Sequence, residues 1–301
     1  PELLYAPIGY SLAGGGKRLR PMLLMLSNGI FTDKIQHALP AAAAVEVFHN
    51  FTLLHDDIMD NAAMRRGNPS VFAKWGQNVA ILSGDAMLIS AYRLLSEYPP
   101  QVLPQILARF NTMAIEVCEG QQYDMDFETR ESVSVEEYLQ MIELKTSALL
   151  SGATVIGAII GGAGEEDCQR LYRFATELGL AFQLQDDLLD VYGDTATFGK
   201  NIGGDILCNK KTFMLINALR LASDTQKAEL NSWIGKKTFD PAEKIAAVTD
   251  IYDQLRLKEL SEEKIHAYYN QAMNCLTSLN VAPERLNILK EVSARLMNRQ
   301  S

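Results

Sequence analysis

Cysteine is sparse: Cys118, Cys168, Cys208 and Cys275 stand singly, with no CxxC pair. That spacing excludes a disulfide framework and a zinc-finger-like ligand set, and it fits a reducing cytoplasm. Positive charge is also short, since 28 Lys and Arg face 37 Asp and Glu for a net charge of −9. A nucleic-acid surface needs a concentrated positive field, so that partner class is excluded and any anionic ligand has to be held locally. Aromatic residues make up only 8% of the 301 residues. A membrane-spanning helix needs roughly 20 predominantly apolar residues. The one stretch that approaches this, Ala148–Gly164, is studded with Ser, Thr and Gly. It reads as a buried helix whose small residues allow close packing, so no membrane span is expected. Pro1 to Ala13 lacks the basic segment and apolar run of a signal peptide. The chain opens on Pro rather than Met, and an incomplete N-terminus is expected.

What the chain has in quantity is apolar residues, 48% of the total, enough to fill a sizeable core and to exclude disorder. They recur at three- and four-residue spacing, and sustained period-two alternation is hard to find, so the expected class is all-α. Candidate helices begin at Ile35 and cover Ile35–Asp60, Val71–Glu97, Pro104–Tyr123, Val135–Ile160 and Glu165–Tyr192, with five shorter ones between Lys211 and Asn298. Breaks fall at Arg66-Gly67-Asn68-Pro69, Tyr98-Pro99-Pro100, Gly161–Gly164 and Gly203-Gly204. None reads as an interdomain linker, and several helices are apolar on more than one face, so a single large helical bundle is expected.

One internal echo stands out. Leu53–Asp60 and Leu184–Asp190 share the pattern apolar, any residue, Asp, Asp, apolar, apolar, Asp. On a helix, Asp56 and Asp60 lie on one face a turn apart, as do Asp186 and Asp190, so both members of a pair can reach one cation. Each motif closes a long apolar helix at its C-terminal end, where the helix dipole disfavours anions. An isolated DDxxD run reads as a solvated helix end, but two in matching contexts point to a positive ligand. Carboxylate oxygens suit Mg²⁺, which keeps several waters and binds substrate phosphates through one or two carboxylates.

Cations answer the acids locally. Gly14–Pro21 (GGGKRLRP) places Lys17, Arg18 and Arg20 beside a glycine run whose backbone can approach an anion, without P-loop spacing. Arg65 and Arg66 follow the first acidic motif; Lys200, Lys210 and Lys211 follow the second. The pattern implies binding of a Mg²⁺–diphosphate, with bidentate Arg contacts on its outer oxygens. His49 stands two turns before Asp56 on nearly the same face and is expected to line the cleft. His55 is expected to brace the motif, and Gln183 to face the cavity of Asp186.

At this point the chain resembles the trans-isoprenyl diphosphate synthases, the polyprenyl synthetase family, over essentially its whole length. The resemblance rests on GGKRLRP at 15–21, FHNFTLLHDDIMD at 48–60, MRRG at 64–67, GD at 84–85, EGQQYD at 119–124, KT at 145–146, FQLQDDLLD at 182–190, and GKNIGGD with KKT at 199–212. It implies one domain over 1–301, an all-α bundle around a central cavity, a cytoplasmic homodimer, and a cluster of three Mg²⁺ ions. By position it makes Asp56, Asp60 and Asp186 the leading magnesium ligands, with Asp57, Asp187 and Asp190 completing the clusters. Arg65, Lys145, Thr146, Gln183, Lys200 and Lys210 would serve the allylic diphosphate. Lys17, Arg20, His49 and Arg66 would hold isopentenyl diphosphate. Lys210 is favoured over Lys211 because the family pattern is Lys, any residue, Thr. The implied reaction joins isopentenyl diphosphate head to tail to a C5 to C15 allylic diphosphate.

Product length in such enzymes depends on how far the growing chain descends along the helix before the first motif. Phe51 lies ~7.5 Å and Phe48 ~12 Å below Asp56 along a helix axis, so the two rings make a shallow floor. Thr52 is not aromatic, and the first motif lacks the two extra residues common in bacterial farnesyl synthases. Geranylgeranyl diphosphate, C20, is therefore the expected product, with C15 or longer products as the alternative. A terpene cyclase or the non-catalytic subunit of a heteromeric synthase is more remote. Cyclases usually carry an NSE-type second motif, and such subunits commonly lose one acidic motif.

Overall fold

The computed structural model describes residues 1–193 and 202–297. Helices dominate: α1 (Glu2–Ala13), α2 (Leu19–Phe31), α3 (Leu39–Met59), α4 (Val71–Trp75), α5 (Gln77–Leu95), α6 (Leu103–Thr129), α7 (Val135–Ile142), α8 (Ala148–Gly161) and α9 (Glu165–Tyr192). After them come α10 (Gly204–Leu207), α11 (Phe213–Leu221), α12 (Asp224–Gly235), α13 (Pro241–Gln254), α14 (Leu257–Thr277) and α15 (Asn287–Met297). Among the described residues the strands are one two-residue pair, β1 (Met64–Arg65) against β2 (Asn68–Pro69). The expected all-α class holds.

Local chemistry explains most boundaries. A capping box starts α7, where the Ser134 hydroxyl accepts from the Glu137 N–H and the Glu137 side chain accepts from the Ser134 N–H. Asp240 caps α13 ahead of Pro241 at its first position. Three features depart from the sequence reading. Two helices, α1 and α2, precede Ile35, where the candidate helices began; Pro21 is tolerated because it sits in the first turn of α2, and Pro7 lies inside α1. Gly76, with φ +86°, divides the single expected helix at 71–97 into α4 and α5. Finally, the expected helix at 135–160 contains a π-helical turn, Glu143–Ser147, between α7 and α8.

Backbone contacts divide the chain into two compact units. The first contains residues 1–112, 152–172 and 280–285. In it α3 packs on α2 and α5, and Leu54, Val71, Ala80 and Met87 form a buried cluster. Small residues on α8 do what the sequence implied: a Cβ at Gly157 would collide with the Leu24 backbone of α2, and Asn28 Nδ2 donates to the Gly157 carbonyl at 3.3 Å. The helical stretch Val135–Gly161 is long and apolar enough to cross a membrane, but 67% of its most apolar window is buried inside the protein. The second unit contains residues 113–151, 173–279 and 286–301. Its core brings together Tyr138, Leu184, Ile216, Val248, Ile251 and Ile265.

Candidate active site

The first acidic cluster closes α3 in the first unit. Asp60 is the C-cap residue, and its N–H donates to the Asp56 carbonyl at 2.9 Å. The following hairpin turns through Arg66 and Gly67, both at positive φ, which closes a two-residue loop and aims Arg65 back at the helix. Arg65 Nε and Nη2 donate to Asp57 Oδ1 at 2.8 and 2.5 Å, and Nη2 lies 3.6 Å from Asp56 Oδ2. One guanidinium therefore spans both neighbouring carboxylates. Asp57 is buried, and burial raises its carboxyl above the usual range against the opposing pull of Arg65. With Asn50, Leu53 and Leu54, it lines a cavity of about 200 Å³ that also contains Arg65 and Arg66. Asp57 thus faces the arginines, one helical step round from Asp56.

A cationic ring surrounds His49. Arg20 Nη1 lies 3.1 Å from His49 Nε2, and because guanidinium can only donate, Nε2 accepts and the imidazole is neutral. Burial, then the charges of Arg20, Arg66, Arg65 and Arg18, hold its pKa well below 6.5. Arg66 donates to the Gly15 carbonyl, and a Cβ at Gly16 (φ +114°) would strike the Arg66 guanidinium, so the glycine run is what lets that arginine lie against the backbone. Arg18, which the sequence reading placed among the cations, instead pairs with Glu46 and donates to the Leu12 carbonyl at 2.6 Å. Lys17 is exposed beside it. His55 braces α3 on α5 as expected, donating to the Ile81 carbonyl at 3.2 Å. Below Asp56 the Phe51 ring packs between His55 and Phe48, at centroid distances of 4.8 and 5.5 Å. Phe48 is fully buried and packs on Phe110 at 5.3 Å.

The second acidic cluster closes α9 in the second unit, and its three aspartates have different surroundings. Asp187 is fully buried. It accepts from the Tyr138 hydroxyl on one oxygen and from Gln183 Nε2 on the other at 2.9 Å. Burial pushes its carboxyl up to about 7, against the opposing charge of Lys210. Asp190 Oδ2 accepts the Asp205 N–H at 2.9 Å, tying α9 to the start of α10. Asp186, which precedes both in sequence, is half-buried. Gln183 Oε1 accepts from Thr146 Oγ1 at 3.0 Å, and Lys145 Nζ pairs with Asp124 Oδ2 at 2.5 Å. Lys211 Nζ donates to the Phe127 carbonyl at 2.5 Å, whereas Lys210 is exposed. Lys200 lies outside the described residues.

Two contributors were invisible to sequence reasoning and a third was legible only through a family motif. Tyr138 reads as an ordinary apolar-helix aromatic until its hydroxyl meets Asp187. Asp124 carries a signal only as the last letter of EGQQYD. Lys244, fully buried, donates to the Leu207 carbonyl at 3.1 Å and to Asn209 Oδ1 at 2.7 Å, holding the loop that leads to Lys210.

Among the described residues no three His, Cys, Asp or Glu side chains converge into a metal cage. Each helix end offers a pair of carboxylates instead, which fits Mg²⁺ better than a metal that requires an all-protein ligand set.

Residues 1–252 match the Polyprenyl synthetase family. The chain belongs to that family. It is 44% identical over 220 residues to a geranylgeranyl diphosphate synthase of Methanosarcina mazei, covering 72% of this chain and 68% of that one. A geranylfarnesyl diphosphate synthase of Natronomonas pharaonis is 36% identical, with 98% and 87% covered. A crystal structure of a geranylgeranyl pyrophosphate synthase superposes with a TM-score of 0.95 at 45% identity, covering 100% of this chain and 93% of that one. The fold is the all-α isoprenoid synthase fold, and the chain is a prenyltransferase.

Proposed function

We propose that this prenyltransferase joins isopentenyl diphosphate head to tail to an allylic diphosphate, in a Mg²⁺-dependent reaction whose main product is C20 geranylgeranyl diphosphate. The observation that carries this reading is that each of the two acidic helix ends is served by its own basic and hydrogen-bonding residues, with Phe51 and Phe48 one to two turns below Asp56 on α3. Both clusters serve one diphosphate-ionising reaction. Asp56, Asp60 and Asp186 would hold the ions, with Asp57 and Asp190 supporting them through Arg65 and α10. When bound, Mg²⁺ neutralises charge developing on the departing diphosphate.

The chain's own residues do the rest. Arg65, Lys145, Gln183, Lys200 and Lys210 hold the allylic diphosphate, and fixed cations aimed at the leaving oxygens lower the barrier without reorganising. Lys17, Arg20, His49 and Arg66 hold isopentenyl diphosphate. A neutral His49 orients Arg20 while adding no charge to the cationic ring. Gln183 and Thr146 direct oxygen dipoles toward the allylic cation. The double bond of isopentenyl diphosphate attacks C1 of that cation, and a proton is then lost. The diphosphate already released is the proton acceptor, so no side chain is assigned as base. The enzyme works in the cytoplasm as a homodimer.

Incubating the purified chain with labelled isopentenyl diphosphate and each of the C5, C10 and C15 primers, followed by product sizing, tests this reading. A C20 main product is expected. Hydrocarbon formed without isopentenyl diphosphate would make it a cyclase, and no turnover by the chain alone would make it a subunit.

A further inference from the structure

We propose that Gly120 and Gly179 are positioning residues for the transfer reaction. They seat the π-helical turn Glu143–Ser147 against α6 and α9, and thereby set where the Lys145 ammonium and the Thr146 hydroxyl stand. The inference rests on the assignment of Lys145 and Thr146 to the allylic substrate above.

Two helices hold the turn in the same way. On α6, a Cβ at Gly120 would overlap the Lys145 backbone, and Asp124, one turn further along, receives the Lys145 ammonium at 2.5 Å. On α9, a Cβ at Gly179 would lie 2.8 Å from Ser147 Cβ and 2.9 Å from Ser147 Cα, and Gln183, one turn further along, receives the Thr146 hydroxyl at 3.0 Å. In each case residue i admits the turn and residue i+4, on the same helix face, takes the side chain. Both glycines are buried, so neither is there for a solvent-exposed bend. A π-turn projects successive side chains in directions a regular helix would not, and such turns concentrate at functional sites. Here Lys145 and Thr146, adjacent in sequence, reach partners on two different helices. Any side chain at position 120 or 179 has to push the turn outward, carrying the ammonium off Asp124 or the hydroxyl off Gln183. Ser147 Oγ is buried with no hydrogen-bond partner among the described residues, so removing the Ser147 side chain breaks no hydrogen bond and clears two of the three atoms that a Cβ at position 179 would meet, leaving Ser147 Cα at 2.9 Å.

The test uses the full chain carrying Gly120→Ala, Gly179→Ala, or either with a partner substitution. Melting curves establish folding, and steady-state kinetics vary each substrate in turn. Gly120→Ala is expected to raise KM for the allylic diphosphate about tenfold, about 1.4 kcal/mol, with KM for isopentenyl diphosphate within about twofold. In a Lys145→Ala background the same substitution is expected to add nothing. An equal loss with and without Lys145 overturns the proposal. Gly179→Ala is expected to lower kcat about tenfold, and adding Ser147→Gly to restore part of it, because Ser147 Cα still lies 2.9 Å from the added Cβ; no restoration overturns that half, and decides the question if Gly120→Ala does not fold. If Lys145→Ala alone leaves the allylic KM unchanged, the site assignment fails rather than the seating. A crystal structure of Gly120→Ala then decides: Lys145 Nζ displaced from Asp124 supports the seating, and Nζ still within about 3 Å overturns it.

Discussion

Neighbouring aspartates in the first cluster have different work, and single substitutions separate them. Asp56→Ala is expected to cut kcat by about 10²–10³-fold, the loss typical of removing one stabiliser of developing charge, while the melting temperature hardly moves. Unchanged turnover at saturating Mg²⁺ would remove Asp56 from the metal site. Asp57→Ala strips the half-exposed Arg65 of its charge-assisted hydrogen bonds. Urea unfolding should register a loss of about 1–3 kcal/mol, together with a higher KM for the allylic diphosphate. His49 carries a pH signature. Its folded pKa is depressed below the unfolded value near 6.5, so the unfolded chain takes up the proton first and stability falls as pH drops below about 6.5. Urea unfolding from pH 7 to pH 5 should show a shallower decline in His49→Gln than in the parent, and parallel curves would refute the neutral imidazole. At this scale Asp56, His49 and Arg65 could be chosen from spacing alone. Tyr138 and Lys244 could not, since a lone hydroxyl or ammonium acquires its role only from the group it meets.

At the scale of elements, α3 carries the proposed metal, substrate and product-length residues on one rod, which is why it was the most legible helix in the sequence. Phe51→Ala is expected to shift products beyond C20, because the ring, which packs on His55 and Phe48, is proposed as the upper part of the floor. Phe48→Ala should lengthen them further but destabilise the protein by about 3–5 kcal/mol, since Phe48 is 1% exposed and packs into Phe110. An unchanged product ladder in both variants would place the floor elsewhere. Other elements were hidden for definite reasons. Proline and glycine masked α1 and α2: Pro21 is tolerable in the first turn of α2, whereas Pro7 lies inside α1 and costs that helix a backbone hydrogen bond. The π-turn leaves no trace in hydrophobic periodicity, because one extra residue shifts the phase of a pattern that is already apolar on every side.

Across the whole molecule, the proposed homodimer has a visible candidate surface. Leu82 and Ile89, two turns apart on α5, are 59% and 61% exposed, with Ile81 and Tyr92 beside them. Replacing Leu82 and Ile89 together by Glu is expected to give a monomer in sedimentation velocity while the helical circular dichroism persists. A dimer that survives would move the interface off this face. The net charge of −9 is a whole-molecule property too, and it misleads about ligands until it is resolved locally. Six of the 37 acids lie in the two motifs; Arg65 and Arg66 follow the first within a few residues, whereas the other proposed cations, Lys17, Arg20, Lys145, Lys200 and Lys210, stand further away along the chain.

Periodicity, composition and the repeated acidic pattern were enough to determine the all-α class and to mark out the candidate charged residues of a Mg²⁺–diphosphate site; the class of reaction followed from the resemblance that the motifs carry. Those properties depend on residue type and on spacing along a single helix, both of which a linear string records. The tertiary structure decided which carboxylate faces an arginine and which caps a helix, which lysine is drawn into a carbonyl, and how a π-turn held by two glycines divides Lys145 from Thr146. Each of these depends on contact between residues tens of positions apart, where an ångström of backbone approach determines whether a hydrogen bond forms.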